Sequence, residues 1–130
     1  MARAYTIATA ALALKRDAKW LDNTLSHFKV PGVQQKTQGV ARRLSVDSVV
    51  LLAVTIIVGD ELGAPVARAL EISQSLIATG GRYSTETGLS LELDLSSLRA
   101  QVLENLEQAV EIAPVPRRGR PPKSTTGRLD

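Results

Sequence analysis

The chain has 130 residues, 44% of them hydrophobic but only 3% aromatic, which is enough for one modest domain with an aliphatic core. It has no cysteine and one histidine, which excludes disulfides and thiolate metal sites and leaves little for catalysis or metal binding. The net charge of +3 is unevenly distributed: it is +6 over residues 1–43, −7 over 44–113 and +4 over 114–130. The two basic ends can therefore bind phosphates, and the acidic middle cannot.

Two short helices are predicted near the start of the chain. The small apolar run TIATAALAL predicts a first helix at residues 6–14, which a polar turn then interrupts. Asp17 is a favourable N-cap for a second helix at 18–28. Two short helices joined by a tight polar turn are typical of a helix-turn-helix, although many helical hairpins share the pattern. The second helix is expected to bury a stripe that contains Leu21, Leu25 and Phe28.

A basic β-hairpin is predicted after the second helix. In residues 29–43 a Pro-Gly pair ends the helix, and Val33 and Val40 flank the polar stretch QQKTQG. This pattern predicts a hairpin with Lys36 at or near its tip. A basic hairpin that follows a helix-turn-helix is a wing, and the alternative is a plain surface loop.

The core of the protein is predicted from residues 44–62. Their apolar run VVLLAVTIIV is too short to span a bilayer, which needs about 20 residues. Its β-branched residues would suit a buried strand, but Ser45 as N-cap, Asp47 in the first turn and Gly63 at the end favour a central helix. A further helix at 65–79, with proline at its first helical position, is predicted before a Gly-Gly pair.

A strand and a final helix are predicted after residue 88. Leucines alternate with polar residues from Leu89 to Leu95, which indicates a strand with one apolar face. Ser96 is the expected N-cap of a last helix that ends near Ile112. Its apolar residues recur at spacings of four and three, a seam that suits a partner helix in a homodimer or a neighbour in the same chain. The seam consists of Leu98, Val102, Leu106 and Ala109.

A family signal lies at the junction between the predicted hairpin and the core helix. R-R-L-S-V-D-S-V-V-L-L at residues 42–52 leads from arginine through a serine cap into a helix, and L-G-A-P-V-A-R-A-L at 62–70 places Leu-Gly before another short helix. This arrangement resembles the MerR-like winged helix-turn-helix family over about residues 6–70. The resemblance implies a winged-helix fold that binds DNA in transcription regulation.

The sequence departs from that family within the first two helices. Lys15, Arg16 and Asp17 stand where the family usually has a glycine and an apolar residue in the turn. Asp22 and Asn23 stand where its recognition helix typically has arginine and tyrosine. These differences concern base preference and promoter mechanism, and they do not by themselves disturb the fold.

The last segment, PVPRRGRPPKSTTGRLD at residues 114–130, lacks apolar mass, and we expect it to be disordered when free. Its central residues resemble an AT-hook. In such a motif glycine and proline keep the backbone thin, so that two arginines can enter a narrow A·T-rich minor groove. The alternative is a tail that only solubilises the chain. The residues of the motif are Arg117, Arg118, Gly119, Arg120, Pro121 and Lys123.

Together these elements predict a mainly α fold of three parts. Residues 1–79 form a winged helix-turn-helix domain with a short β-hairpin wing, 80–113 a strand–helix segment suited to dimerisation, and 114–130 a disordered basic tail. We expect a small bacterial transcriptional regulator that binds double-stranded DNA sequence-specifically as a homodimer. No catalysis, cofactor, metal, membrane or small-molecule effector is expected, and the absence of cysteine and of a signal peptide favours a cytoplasmic, nucleoid-associated protein.

The predicted DNA contacts fall on the turn before the second helix, on that helix, on the hairpin and on the tail. Asn can pair with adenine, and Lys with guanine or phosphate. The arginines at the end of the hairpin are expected to contact the phosphate backbone of the DNA. Two other functions fit the same sequence: a DNA-architectural or recombination-accessory protein, and an antitoxin or adaptor that acts through residues 89–112. Outside the tail, the predicted contacts are Lys15, Arg16, Lys19, Asn23, Ser26, Lys36, Arg42 and Arg43.

Overall fold

A computed structural model of the protein describes residues 4–34 and 42–112. In these two ranges the fold is mainly helical, with five helices and two small antiparallel sheets, which confirms the predicted fold class at that level. Lys36, Val40 and the tail at 114–130 lie outside the described residues. In chain order the elements are β1 (Ala4–Tyr5), α1 (Ile7–Leu14), α2 (Ala18–His27), β2 (Val33–Gln34), β3 (Arg43–Ser45), α3 (Val46–Leu62), α4 (Val66–Ala78), β4 (Arg82–Ser84), β5 (Ser90–Glu92) and α5 (Leu95–Ile112).

The first two helices form where the sequence predicts them. Thr6 caps α1, because its hydroxyl accepts a hydrogen bond from the backbone N–H of Thr9 at 3.1 Å. Asp17 caps α2 in the same way, through the N–H of Trp20 at 2.6 Å. The predicted stripe of α2 is confirmed: it packs on the core through Leu21, Leu25 and, in part, Phe28.

A three-stranded sheet places a hairpin directly after α2. β3 is the central strand, with β1 and β2 antiparallel on either side. Leu44 of β3 is fully buried and pairs with Val33 of β2 and Tyr5 of β1. The hairpin is therefore present, but the prediction that it ends at residue 43 is wrong, because burial of Leu44 extends the strand to Ser45. The short strand β1 was not predicted.

The helix α3 is the centre of the core, as predicted. Ser45 caps its start by accepting from the N–H of Ser48 at 3.1 Å, and Gly63 ends it in the left-handed conformation with φ 65°. Every residue from 48 to 55 is buried, because α1, α4, α5 and β3 contact the helix from different sides. A helix that is apolar all round must be enclosed in this way.

The segment after α3 differs from its prediction in two details. Pro65 was expected at the first helical position, but its ψ of 155° is extended, so it is the N-cap and the helix begins at Val66. The strand β4 was not predicted, because three residues are too few to show a period. Gly81 joins β4 to α4: it has φ 106°, and its N–H donates to the carbonyl of Leu76 at 2.7 Å. An added Cβ would collide with the carbonyl oxygen of Leu93, so this position requires glycine.

The predicted leucine strand is shorter in the structure, and the helix that follows begins earlier. β5 pairs with β4 in the register Arg82 to Glu92. Leu95, expected in the strand, is the first residue of α5. The cap is Asp94 and not Ser96, since the Asp94 carboxylate accepts from the N–H of Ser97 at 3.0 Å and from its hydroxyl at 2.9 Å. An aspartate two residues ahead of the expected cap therefore determines where the helix begins.

The apolar seam of α5 packs inside the chain. Val102, Leu106 and Ala109 are buried, and α5 makes its main contact with α1. The alanines of α1 allow this close approach, and the side-chain amide of Asn105 donates to the carbonyl of Ala13 at 3.3 Å. These seam residues are thus covered by the chain itself, so the expectation that they form a dimer seam is replaced by the alternative of intramolecular packing. One core cluster includes residues of both α1 and α5.

We expect Leu106→Ala to lower the free energy of unfolding by about 2–5 kcal/mol, because it removes methyl and methylene groups from a fully buried site. Leu103→Ala, on the side of α5 where the leucine is 37% exposed, should cost less than about 1 kcal/mol. Urea denaturation at two protein concentrations measures both effects. An unfolding midpoint of the parent that rises with protein concentration would contradict a seam satisfied within one chain.

The cap of α5 predicts a dependence on pH. The backbone N–H and the hydroxyl of Ser97 hold the pKa of Asp94 below its ordinary value. A lowered folded-state pKa stabilises the fold above the ordinary pKa, about 3.9, and this contribution is lost as the pH falls through the lowered value. Asp94→Asn keeps a capping oxygen that does not titrate, whereas Asp94→Ala keeps none.

At pH 7 the melting temperature should therefore be highest for the parent, lower for Asp94→Asn and lowest for Asp94→Ala. The advantage of the parent over Asp94→Asn should shrink as the pH is lowered from about 5 to 2. Melting curves recorded across this range measure it. A constant advantage would show that ionised Asp94 does not provide the cap.

Candidate nucleic-acid interface

The helix α2 has one buried face and one exposed polar face. Thr24 lies buried with the leucine stripe, and its hydroxyl donates to the carbonyl of Trp20 at 2.9 Å. Lys19, Asn23 and Ser26 are exposed. Their spacing of three and four residues puts them on the same side of the helix, together with Asp22. The structure thus brings together all three of the contacts that the sequence predicts within α2.

Part of this exposed face is already engaged within the helix. The hydroxyl of Ser26 donates to the carbonyl of Asp22 at 2.9 Å, and Nδ1 of His27 lies 2.8 Å from the carbonyl of Asn23. By contrast, the ammonium of Lys19 and the side-chain amide of Asn23 form no hydrogen bond with any described residue.

Arg16 is engaged elsewhere than the sequence predicts. Its guanidinium lies 5.8 Å from the centre of the Trp20 ring and donates to Asp60 of α3 at 2.9 Å. The arginine thereby ties the turn between α1 and α2 to the end of the central helix. As a DNA contact it would first have to leave both partners.

Arg42 is also held by the protein. Its Nη1 donates to Oδ1 of Asp22 at 2.8 Å, and its side chain is only 23% exposed. This ion pair connects the residue before β3 with the exposed face of α2. The neighbouring Arg43 lies opposite Gln34 in the hairpin, is exposed and forms no ion pair with a described residue. The two adjacent arginines, predicted to act alike, therefore have different surroundings.

The free cations of the described chain are all in its first segment. The three arginines of residues 44–112 are each in an ion pair: Arg68 with Glu71, Arg82 with Glu92 and Arg99 with Asp47. In residues 4–34 and 42–43, four cations have no such partner. Two of them, Lys19 and Lys29, lie at opposite ends of α2. Lys29 was not among the predicted contacts, although it belongs to the basic segment. The four are Lys15, Lys19, Lys29 and Arg43.

Lys15 ends α1 in an unusual conformation. Its φ of 59° makes it the one described non-glycine residue with positive φ. The conformation is needed because the N–H groups of Lys15 and Arg16 turn back to the carbonyls of Leu12 and Ala11, at 3.2 and 3.0 Å. Glycine would fit this place without the steric cost of about 1–2 kcal/mol. The turn therefore keeps a cation where the backbone favours glycine.

Comparison of the chain with protein-family models, curated proteins and solved structures finds no match. The resemblance to MerR-like proteins stays an expectation from the sequence. In the part of the chain that the structure describes, no helix is long and apolar enough to cross a membrane, and no three His, Asp or Glu side chains are grouped to hold a metal ion. The predicted contacts Lys36, Arg117, Arg118, Gly119, Arg120, Pro121 and Lys123 lie outside the described residues.

We predict that Lys15→Gly raises the free energy of unfolding by up to about 1 kcal/mol, because glycine adopts positive φ without a Cβ clash. Its greater freedom in the unfolded chain offsets part of the gain. Lys15→Ala removes the same charge but keeps Cβ, so its stability should not exceed that of the parent. Urea denaturation compares the three proteins. An equal gain from Lys15→Ala would attribute the effect to charge and not to backbone conformation.

Proposed function

We propose that this protein binds double-stranded DNA as a winged helix-turn-helix, with the exposed face of α2 in the major groove and the β2–β3 hairpin along the phosphate backbone. The distribution of free cations is the observation that carries the proposal. Four cations without an ion-pair partner among the described residues lie in the first 43 residues, whereas every arginine of residues 44–112 is paired with a carboxylate. When an unpaired cation binds a phosphate, the DNA releases a counterion, and this release favours binding. A cation that is already held by a carboxylate contributes less to binding.

The order of the elements supports the same proposal. A short strand, two helices at a tight turn and an antiparallel hairpin follow one another, and the central helix α3 comes next. In a helix-turn-helix the second helix enters the major groove. Here that helix is α2, and its free side chains are an amide and an ammonium. Asn23 would pair with adenine, and Lys19 with guanine or phosphate.

In this proposal the basic residues have different roles from those expected from the sequence. Arg16 and Arg42 are bound to Asp60 and Asp22, so in the proposed complex they position α2 and the hairpin. The backbone contacts then come from Lys15, Lys29 and Arg43, with Ser26 at the edge of the helix. Because phosphate contacts fix register and carry no sequence information, α2 supplies the specificity.

The tail at 114–130 is a second attachment in this proposal. Its Arg-Gly-Arg-Pro core would enter an A·T-rich minor groove while α2 occupies the major groove. Two weak sites in one chain raise the avidity through effective concentration. Such a protein would act as a bacterial transcriptional regulator at the nucleoid.

The dependence of DNA affinity on salt tests the proposal. In the full chain, Lys29→Gln combined with Arg43→Gln should lower the slope of log K against log[salt] by about 2 units, since each phosphate contact contributes about 0.9. Lys15→Gly should lower it by about 1 unit although the variant is more stable. Fluorescence anisotropy with a 20-bp duplex between 50 and 200 mM salt gives the slopes.

A charge-matched control distinguishes contact from net charge. Arg68→Gln combined with Arg82→Gln removes the same two charges from the acidic part of the chain, where both arginines are exposed and paired. We expect its slope to equal that of the parent. If both double variants lower the slope equally, the effect comes from overall charge, and the proposed interface is wrong.

A further inference from the structure

The position of Asp22 is the feature of the interface that net charge does not explain. The first 43 residues contain two acidic residues, and the other one, Asp17, caps α2. Asp22 instead lies on the exposed face of α2, three residues after Lys19 and directly before Asn23, with its side chain 54% exposed. A carboxylate in this place would repel phosphates, so its presence needs a different chemical reason.

The ion pair with Arg42 holds this carboxylate in one orientation. Arg42 lies directly before β3, 20 residues away along the chain, and its Nη1 donates to Oδ1 at 2.8 Å. The arginine is the more enclosed partner, at 23% exposure, and the carboxylate the more open one. The second oxygen, Oδ2, has no hydrogen-bond partner among the described residues. The pair therefore neutralises the charge and leaves one acceptor exposed on the face of α2.

We infer that Asp22 determines base specificity by accepting a hydrogen bond from the N4 amino group of cytosine, and that Arg42 is its positioning residue. The inference rests on the proposed function. In the major groove cytosine presents an amino donor, which a carboxylate accepts, whereas guanine presents only acceptors. Adenine also has an amino group, but its neighbouring N7 acceptor favours an amide such as that of Asn23 over a carboxylate.

Selection from a random duplex library tests this assignment. The full chain and its variants are each used to enrich binding sites from a randomised 20-bp library, and the enriched pools are sequenced. We expect a motif in which the parent prefers C at one position by about 5- to 150-fold, the discrimination of one good side-chain contact. Asp22→Asn should change that position from C to A and leave the other positions as they were.

Two further variants separate reading of a base from a purely structural tie. Arg42→Lys keeps the charge but replaces the Nη1 donor that holds Oδ1 with an ammonium on a flexible stem, so it should weaken the preference for C at the same position only. Asp47→Asn is the matched control, because Asp47 also pairs with an arginine, Arg99, at 2.7 Å, but lies on the acidic part of the chain. Its motif should equal that of the parent. Thermal melting confirms that each variant is folded.

The outcomes separate this inference from the function on which it rests. If the parent enriches a motif and Asp22→Asn enriches the same one, with tighter binding to every sequence, Asp22 acts only through its charge and the inference is overturned. An unchanged motif for both Asp22→Asn and Arg42→Lys would make the pair a structural tie and would overturn the inference as well. If the parent enriches no sequence and binds no duplex, the proposed function itself is wrong.

Discussion

The arrangement of the other elements follows from the need to bury α3 on every side. Eight consecutive residues, 48 to 55, are buried, so this part of the helix has no side that can face water. The fold meets this demand with α4, α5, α1 and the strand β3, which surround it. The helix α5 also packs against this core, where its residues Val102 and Leu106 are buried. The sequence pattern of this seam fits a partner helix or a neighbour in the same chain, and in the structure the seam packs within one molecule.

The enclosure also leaves α2 at the periphery. It packs on α1 through a narrow stripe, and its opposite face stays exposed. The caps at both ends of the turn, Lys15 and Asp17, fix its direction relative to α1. The hairpin is fixed relative to the same core, because Leu44 pairs on both sides within the sheet. The core thus presents one polar helix face beside one hairpin, and the proposed DNA binding relies on this arrangement.

Ion pairs determine which of the positive charges remain available. All five paired cations among the described residues are arginines, and three of the four unpaired ones are lysines. The planar guanidinium fork suits a fixed pair with a carboxylate, whereas the ammonium of lysine on its flexible stem is a mobile point charge. Arginines here connect elements, as between the turn and α3, and the described lysines are left without an ion pair. Arg43 is the exception, because it forms no ion pair with any carboxylate of residues 4–34 or 42–112.

The sequence predicts all five helices, since capping and periodicity are local, and Asp17, Ser45 and Gly63 lie at the boundaries that their chemistry predicts. It misplaces the first residue of α4 by one and that of α5 by two. It also determined the exposed face of α2 and the separation of charge. It missed β1 and β4, because strands of two or three residues carry no period and exist only through their partners. Which of the predicted DNA contacts are free of ion pairs could not be predicted, because it depends on the tertiary structure. Arg16 meets Asp60 across 44 residues and Arg42 meets Asp22 across 20, and such pairs form only when the core has brought distant segments together.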